Sequence, residues 1–161
     1  MGAPATVAQL TASAARVFRG RCTAVVAGTV EVAGARLPAT TYTFRVREHL
    51  KGRRRSTITF RQLGAPGGGP HDLGRLVDLP TYAPGSEYVL FLLPASRVGL
   101  TSPAGAAEGA LLVRYGVVTN VRGVSVEVPV SLRARGRAPL GGLTGSSYDE
   151  LRRAVREAVG P

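Results

Sequence analysis

The sequence predicts a mainly β protein: a small antiparallel β-barrel, closed or partly open, with a short helix before it and a longer helix after it. Three observations support this class. Several segments alternate apolar and polar residues with a period of two, the first of these segments is long and interrupted by glycines, and helical periodicity is confined to the two ends of the chain. Short alternating strands joined by turn residues are typical of such barrels.

Length and composition indicate one domain. A chain of 161 residues can bury a core that is stable without cross-links. Its single cysteine, Cys22, excludes an intramolecular disulfide and zinc sites built from paired cysteines. No apolar run approaches the roughly 20 residues of a membrane-spanning helix. We expect one domain over residues 1–161, with a helix at 5–15, the β-barrel at 16–132, a linker at 133–146 and a helix at 147–159.

Both helices begin with the spacing of a capping box. Thr6 and Gln9 have this spacing at the first helix, and Ser147 and Glu150 have it at the second. Gly160 and Pro161 are typical of the residues that end a helix. The second helix carries an apolar stripe that we expect to pack on the barrel, formed by Tyr148, Leu151, Val155, Ala158 and Val159. We expect its exposed side to carry Arg152, Arg153 and Arg156.

Three alternating segments predict the first three strands. The first begins at Val17, and Gly20 and Gly28 predict bends in it. A turn-rich connection at 33–39 follows, and the segments at 40–50 and 56–63 then form a hairpin around the basic tip KGRRRS. The apolar positions that we expect to point inward are Phe18, Cys22, Ala24, Val26, Tyr42, Phe44, Val46, Ile58 and Phe60.

The second half of the predicted barrel begins with a long loop. Residues 64–86 are rich in glycine and proline and have no clear periodicity, which is typical of a functional loop. The apolar run 88–93 predicts a strand buried on both faces. The segments LLVRYGVVTN and VSVEVPVSL then predict another hairpin, in which Pro129 favours an edge position because proline cannot donate to a ladder.

The sequence contains no recognisable catalytic or metal-binding motif. Two histidines, His49 and His71, lack a third ligand at a known spacing, and the glycine-rich run is not followed by the residues of a phosphate-binding loop. We interpret Glu87, which opens a strand, as a solvated edge residue. We therefore expect no catalytic residue, no metal and no cofactor. An enzyme that used His71 and Asp72 is the remaining catalytic alternative.

Charge is the feature with a spatial pattern. The chain carries 21 basic residues, 20 of them arginine, against 10 acidic ones, for a formal charge of +11. Part of this excess is typical of a GC-rich genome, but such a charge attracts polyanions. The alternation places one group of basic residues on the outer side of the first three strands and at their tip: Arg19, Arg21, Arg45, Arg47, Lys51, Arg53, Arg54, Arg55 and Arg61. The candidates in the long loop are His71, Asp72 and Arg75.

A series of motifs resembles a group of uncharacterised bacterial domains. These motifs are VFRGRCTAV, YTFRVREHLKG, STITFRQLGAPGGG, LPTYAPGSEYVLFLLP and GALLVRYG, and the likeness covers residues 5–118. The resemblance implies an OB-fold barrel related to the netrin and tissue-inhibitor-of-metalloproteinase modules, in proteins that are usually exported. Inhibitors of that type chelate zinc through an N-terminal cysteine, whereas Cys22 is internal, so their mechanism does not transfer.

We therefore expect a non-catalytic interaction module of an exported, periplasmic or secreted protein. The predicted basic side and the 64–86 loop would bind an acidic protein or another anionic partner. The alternative is a cytoplasmic OB-fold binder of single-stranded nucleic acid. Such binders stack bases on outward aromatic residues, whereas Tyr42, Phe44 and Phe60 share the inward register. The first residues lack the segments of a signal peptide, so an export signal would have to precede Met1.

Overall fold

A computed structural model describes residues 6–66, 79–121 and 146–160 of the chain. These residues form a mainly β structure with one short N-terminal and one C-terminal helix. A short 3-10 helix (Ala106–Gly109) lies between β4 and β5. The helices and strands are α1 (Val7–Ser13), β1 (Arg16–Val32), β2 (Ala35–Lys51), β3 (Thr57–Leu63), β4 (Glu87–Leu92), β5 (Ala110–Arg114), β6 (Val117–Asn120), β7 (Ser146–Ser147) and α2 (Tyr148–Val159).

The strands form one antiparallel sheet in the order β3-β2-β1-β4-β5-β6-β7. Of the two expected forms, the closed barrel was wrong, because no ladder joins β3 to β7 within the described ranges. The outer edge of β3 is instead bonded to the segment after β4. The Arg61 amide donates to the Gly99 carbonyl at 3.2 Å, and the Thr101 amide donates to the Arg61 carbonyl at 2.9 Å.

The first two strands are longer than the sequence pattern indicates. The irregularity predicted at Gly20 is confirmed by a register shift against β2, whereas the pairing runs without a shift through Gly28, so the one predicted there was wrong. The predicted turn-rich connection at 33–39 was wrong, because β1 and β2 meet at a turn of two residues, Ala33 and Gly34. Their φ angles of 51° and 81° match the left-handed turns that favour a tight hairpin, so both strands continue up to the turn.

A second tight turn divides a segment that was predicted as one strand. LLVRYGVVTN contains β5 and β6, which pair with each other across Tyr115 and Gly116. The φ angles of these residues are 52° and 74°, so the chain reverses here in the same way. The predicted partner strand VSVEVPVSL, the edge position of Pro129 and most of the linker at 133–146 lie outside the described residues.

Hydrophobic side chains cover both faces of the sheet. On one face, Val7, Leu10 and Ala14 of α1 pack with Leu151 and Val155 of α2 over the middle of the sheet. The other face carries the aromatic cluster, which consists of Phe18, Tyr42, Phe44, Phe60, Tyr82 and Tyr88. Because β4 contributes to both faces, its predicted burial on two sides is confirmed by the buried residues Tyr88, Val89, Leu90, Phe91 and Leu92.

The inward register predicted for β1 holds only for its first half. Phe18 and Cys22 are buried as expected, but the pairing with β2 shifts between Cys22 and Ala24. Beyond this shift, Val25 packs against the aromatic cluster and Val26 is 59% exposed. The expected inward position of Val26 was therefore wrong, because a shift of one residue moves the side chains that follow to the opposite face.

Both predicted helix starts are confirmed. The Thr6 hydroxyl accepts a hydrogen bond from the Gln9 amide at 3.0 Å, and the Gln9 side chain bonds back to Thr6. The Ser147 hydroxyl accepts from the Glu150 amide at 3.1 Å. The predicted apolar stripe of α2 is shorter than expected. It is buried through Val155 but not at its last two positions, Ala158 and Val159, which are exposed.

Gly52, directly after β2, allows the basic tip to pass close to the start of β1. Its φ is +94°, which disfavours a residue with a side chain. A Cβ atom at this position would lie 2.6 Å from the Ala15 carbonyl oxygen. Both the backbone conformation and the contact therefore require glycine here.

We expect Gly52→Ala to lower the free energy of unfolding by about 3 kcal/mol, because it combines left-handed strain with a backbone clash. Gly85→Ala is the matched control. Gly85 has a φ of +87°, but a methyl group there would have no atom within 4 Å, so only about 1 kcal/mol of strain is expected. Urea denaturation measures both values. Equal losses in the two variants would contradict the close approach of Gly52 to Ala15.

Candidate functional site

The predicted basic side is formed by the antiparallel meander of β1, β2 and β3. We call Arg19, Arg21, Arg45, Arg47 and Arg61 the outer face. Their alternation with the aromatic cluster places them on the opposite side of the sheet. Arg21 lies directly opposite Arg45 across β1 and β2, and Arg61 lies opposite Thr41 across β2 and β3. The helices cover one end of the same side, where Arg19 lies over the ring of Tyr148 at 4.4 Å.

One carboxylate neutralises part of the outer face. Glu87 of β4 accepts a short hydrogen bond from Arg19 Nε, and its other oxygen lies 3.1 Å from an Arg47 guanidinium nitrogen. The Glu87 side chain is only 14% exposed, and that of Arg19 is 20% exposed. The interpretation of Glu87 as a solvated edge residue was therefore wrong. Two cationic partners compensate the cost of burying its charge.

A second carboxylate links the outer face to α2. Glu48 of β2 accepts a short hydrogen bond from the Tyr148 hydroxyl, and its second oxygen lies 3.5 Å from Arg152 and 3.2 Å from Arg156. Burial, with the hydrogen bond and negative charge of Glu48 as further causes, raises the pKa of Tyr148 well above its usual value. The hydroxyl therefore stays protonated at neutral pH and remains a donor to Glu48. Arg153 and Arg156 are exposed as expected, whereas Arg152 is half-buried.

Three arginines of the outer face remain without a partner. Arg21, Arg45 and Arg61 are exposed, and within the described part of the chain no carboxylate lies in ion-pair distance of their guanidinium groups. Between them lie threonine side chains, of which Thr43 and Thr59 approach each other with their hydroxyl oxygens at 3.3 Å. The free part of the face is thus cationic and polar, and among the described residues it carries no carboxylate of its own.

Lys51 is engaged inside the fold. Its ammonium group donates hydrogen bonds of 2.7 Å to the carbonyl oxygens of Thr11 and Ala14 at the end of α1. These are among the carbonyls that a helix leaves without internal donors, and a cation is favourable at that end of the helix dipole. The only lysine of the chain therefore ties β2 to α1, and its predicted place among the binding residues is corrected.

The tip between β2 and β3 presents Arg53, Arg54 and Arg55 to solvent. The ring of His49 holds the base of this tip, because its Nε2 atom lies 2.6 Å from the Arg55 amide nitrogen. The Val46 amide also donates to the Ser56 carbonyl at 2.9 Å. The backbone of the tip is therefore fixed, while its arginine side chains have no partner among the described residues.

The structure describes only part of the long loop predicted at 64–86. His71, Asp72 and Arg75 lie outside the described residues. Residues 79–86 form no helix or strand and lie against the aromatic cluster, with Tyr82 buried at 4% exposure. The Tyr82 hydroxyl donates to the buried side chain of Gln62 at 3.1 Å, and Gln62 donates to the Pro80 carbonyl at 2.5 Å. Pro80 and Tyr82 at this end of the loop therefore belong to the core, whereas Thr81 and residues 83–85 are exposed.

The aromatic side chains of the first three strands point inward. Phe44 and Phe60 stack with ring centroids 5.8 Å apart, and Tyr82 packs edge-on against Tyr42 at 4.7 Å. Cys22 is buried beside them, and burial raises the pKa of its thiol. This environment is that of a core cysteine, since reactive thiols are exposed and have lowered pKa values.

The described ranges 6–66, 79–121 and 146–160 lack two further kinds of feature. No group of three or more histidine, cysteine, aspartate or glutamate side chains there lies close enough together to hold a metal ion. No helix in these ranges has the length and apolar character needed to cross a membrane.

Comparison with known proteins gives no assignment for this chain. No family model matches the sequence, and no curated protein sequence matches it significantly. Any functional conclusion therefore depends on the geometry and charge of the chain itself.

Sequence reasoning missed the carboxylates that organise the outer face. Glu87 and Glu48 are separated from most of their partners by 40 residues or more along the chain. The alternation of β2 did predict that Arg45 and Arg47 share a face. It could not show which of the two would meet a carboxylate, because that depends on the pairing of β4 with β1.

We expect Lys51→Met to lower the free energy of unfolding by about 1–2 kcal/mol, because two carbonyls at the end of α1 lose their charged donor. The affinity for an anionic polymer should change no more than in Arg36→Met, which removes one exposed charge elsewhere. Thermal unfolding and fluorescence anisotropy measure the two quantities. A variant with wild-type stability would show that the contact between Lys51 and α1 contributes nothing.

Proposed function

We propose that this chain is a non-catalytic interaction module that binds an acidic protein or another anionic partner through the free arginines of its outer face. The observation that carries the proposal is the pairing of Arg21 with Arg45. These residues are direct cross-strand neighbours, both are exposed, and neither has an acidic partner within the described ranges. Like charges placed opposite each other destabilise a sheet. A bound anion would remove this repulsion.

Among the described residues, acidic side chains neutralise only some of the arginines of the outer face. Arg19 and Arg47 share the carboxylate of Glu87, whereas Arg21 lies directly opposite Glu87 in the ladder between β1 and β4 and forms no ion pair with it. The two Glu87 oxygens serve Arg19 and Arg47. The remaining guanidinium groups present planar sets of donors, which pair well with carboxylates and phosphates.

Binding of single-stranded nucleic acid is the second candidate, and the observations favour it less. Proteins of that kind combine a basic groove with aromatic side chains on which bases stack. Tyr42, Phe44 and Phe60 are at most 6% exposed and lie on the other side of the sheet. These three side chains therefore cannot stack on bases beside the free arginines, and the exposed Tyr115 lies at the turn between β5 and β6 rather than on β1, β2 or β3.

An OB-type topology and an exported location are part of the proposal. The bridge between Arg61 and Leu100 is parallel, and Leu92 pairs with Pro103, so segment 99–103 connects the edge of β3 to β4. This connection is compatible with a partly open five-stranded barrel. The location rests on the resemblance of residues 5–118 to exported bacterial domains.

We expect replacement of Arg21, Arg45 and Arg61 together by serine to weaken binding of fluorescent polyglutamate and to make it less dependent on salt. Fewer counterions are exchanged when fewer guanidinium groups contact the polyanion. Stability should change by less than about 0.5 kcal/mol for each exposed residue. Fluorescence anisotropy across a salt series measures the affinity, and thermal unfolding measures the stability.

The control replaces Arg36, Arg97 and Arg153 by serine, which removes the same charge from exposed positions outside the outer face. Equal losses of affinity in the two triple variants would show that only net charge matters, and the proposal would then fail. Tighter binding of oligothymidylate than of polyglutamate, lost in the first variant alone, would favour the nucleic-acid alternative.

A further inference from the structure

An open cavity of about 440 Å³ lies where the basic tip meets α2. It is separate from the free arginines of the outer face. Its charged lining consists of Arg47, Glu48, Arg54, Arg55 and Arg156, and the ring of His49 also lines it. Four guanidinium groups thus face one carboxylate, and among the described residues no aromatic side chain other than the ring of His49 lines the cavity.

The guanidinium groups in this cavity are not equally available. Arg156 lies 3.2 Å from Glu48, and Arg47 lies 3.1 Å from Glu87. Glu48 in turn is satisfied by the Tyr148 hydroxyl and by α2. The side chains of Arg54 and Arg55 have no partner among the described residues. The two free groups are therefore adjacent in sequence and lie at one side of a cavity that is already cationic.

The backbone around the cavity is held before any ligand arrives. His49 fixes Arg55 by its contact with the Arg55 amide, and the Val46 and Ser56 backbones are hydrogen-bonded. On the other side, Arg156 belongs to a helix that is anchored by Leu151 and Val155 in the core. Walls that are already ordered reduce the entropic cost of binding.

We propose that this cavity binds adjacent carboxylates of an acidic peptide segment of the partner. The inference rests on the proposed function and names the chemistry of the partner. Guanidinium forks match carboxylates in plane and in donor spacing. The cavity is larger than a single inorganic anion requires, and its described lining lacks a stacking surface of the kind that nucleic-acid sites use. A short stretch of aspartate or glutamate residues fits a cavity of this size and needs no stacking surface.

The test uses fluorescent hexaglutamate as the probe, because it is short enough to occupy the cavity without spanning the whole outer face. We expect Arg54→Ser combined with Arg55→Ser to lower its affinity by about tenfold or more, as loss of a charge-assisted pair does. The control combines Arg36→Ser with Arg97→Ser and removes the same charge elsewhere. The outer-face triple variant should bind hexaglutamate as the control does. Equal affinity of the cavity variant and the control would overturn the inference.

Two further results separate the alternatives. Arg54→Lys combined with Arg55→Lys keeps the charge but removes the planar forks, so affinity should stay below that of the wild type. Complete recovery with lysine would overturn recognition of carboxylates by the guanidinium groups.

Tighter binding of an oligothymidylate of equal charge at the cavity would replace the acidic peptide by a phosphate ligand. If the proposed function fails, the outer-face triple variant and its control lose affinity for polyglutamate equally, whatever hexaglutamate does.

Discussion

The ion pairs of Glu87 determine which arginines of this protein hold the fold together and which remain available to a partner. The Glu87 carboxylate is mostly buried and pairs with both Arg19 of β1 and Arg47 of β2. Arg19 in turn covers the ring of Tyr148, and that tyrosine donates to Glu48, which also meets the arginines of α2. One continuous set of polar contacts therefore joins three strands to the C-terminal helix. Because breaking a buried pair leaves an uncompensated charge, each member depends on the others.

Basic side chains that form ion pairs or hydrogen bonds within the fold can therefore be distinguished from those that are available to a partner. The arginines next to Glu87 and Glu48 hold elements together, and Lys51 does the same for α1. Arg21, Arg45 and Arg61 on the outer face, like Arg54 and Arg55 at the cavity, form no ion pair with those carboxylates. Within the described ranges, these two local groups of free guanidinium donors are the basis of the proposed function.

Local pattern was sufficient for β3, β4 and the helix caps, and insufficient for the tight turns and for the contacts between elements. The period of two predicted β3 correctly, since Ile58 and Phe60 are buried while Thr57 and Thr59 are exposed. The caps predicted both helix starts for the same local reason. The turn at Tyr115 was missed because a tyrosine with positive φ has no sequence signal, and the open sheet was missed because closure depends on long-range pairing. Whether Glu87 meets its arginine partners depends on the register between neighbouring strands, and the alternation within one strand does not determine that register.

The most direct test of this account is Glu87→Gln, with unfolding and polyglutamate binding measured on the same variant. Glutamine can still accept from Arg19 but carries no charge, so the free energy of unfolding should fall by about 1–2 kcal/mol. The released charge of Arg47 should at the same time increase the affinity for polyglutamate and its dependence on salt. A variant with unchanged stability and unchanged affinity would contradict the division of the arginines into structural and available groups.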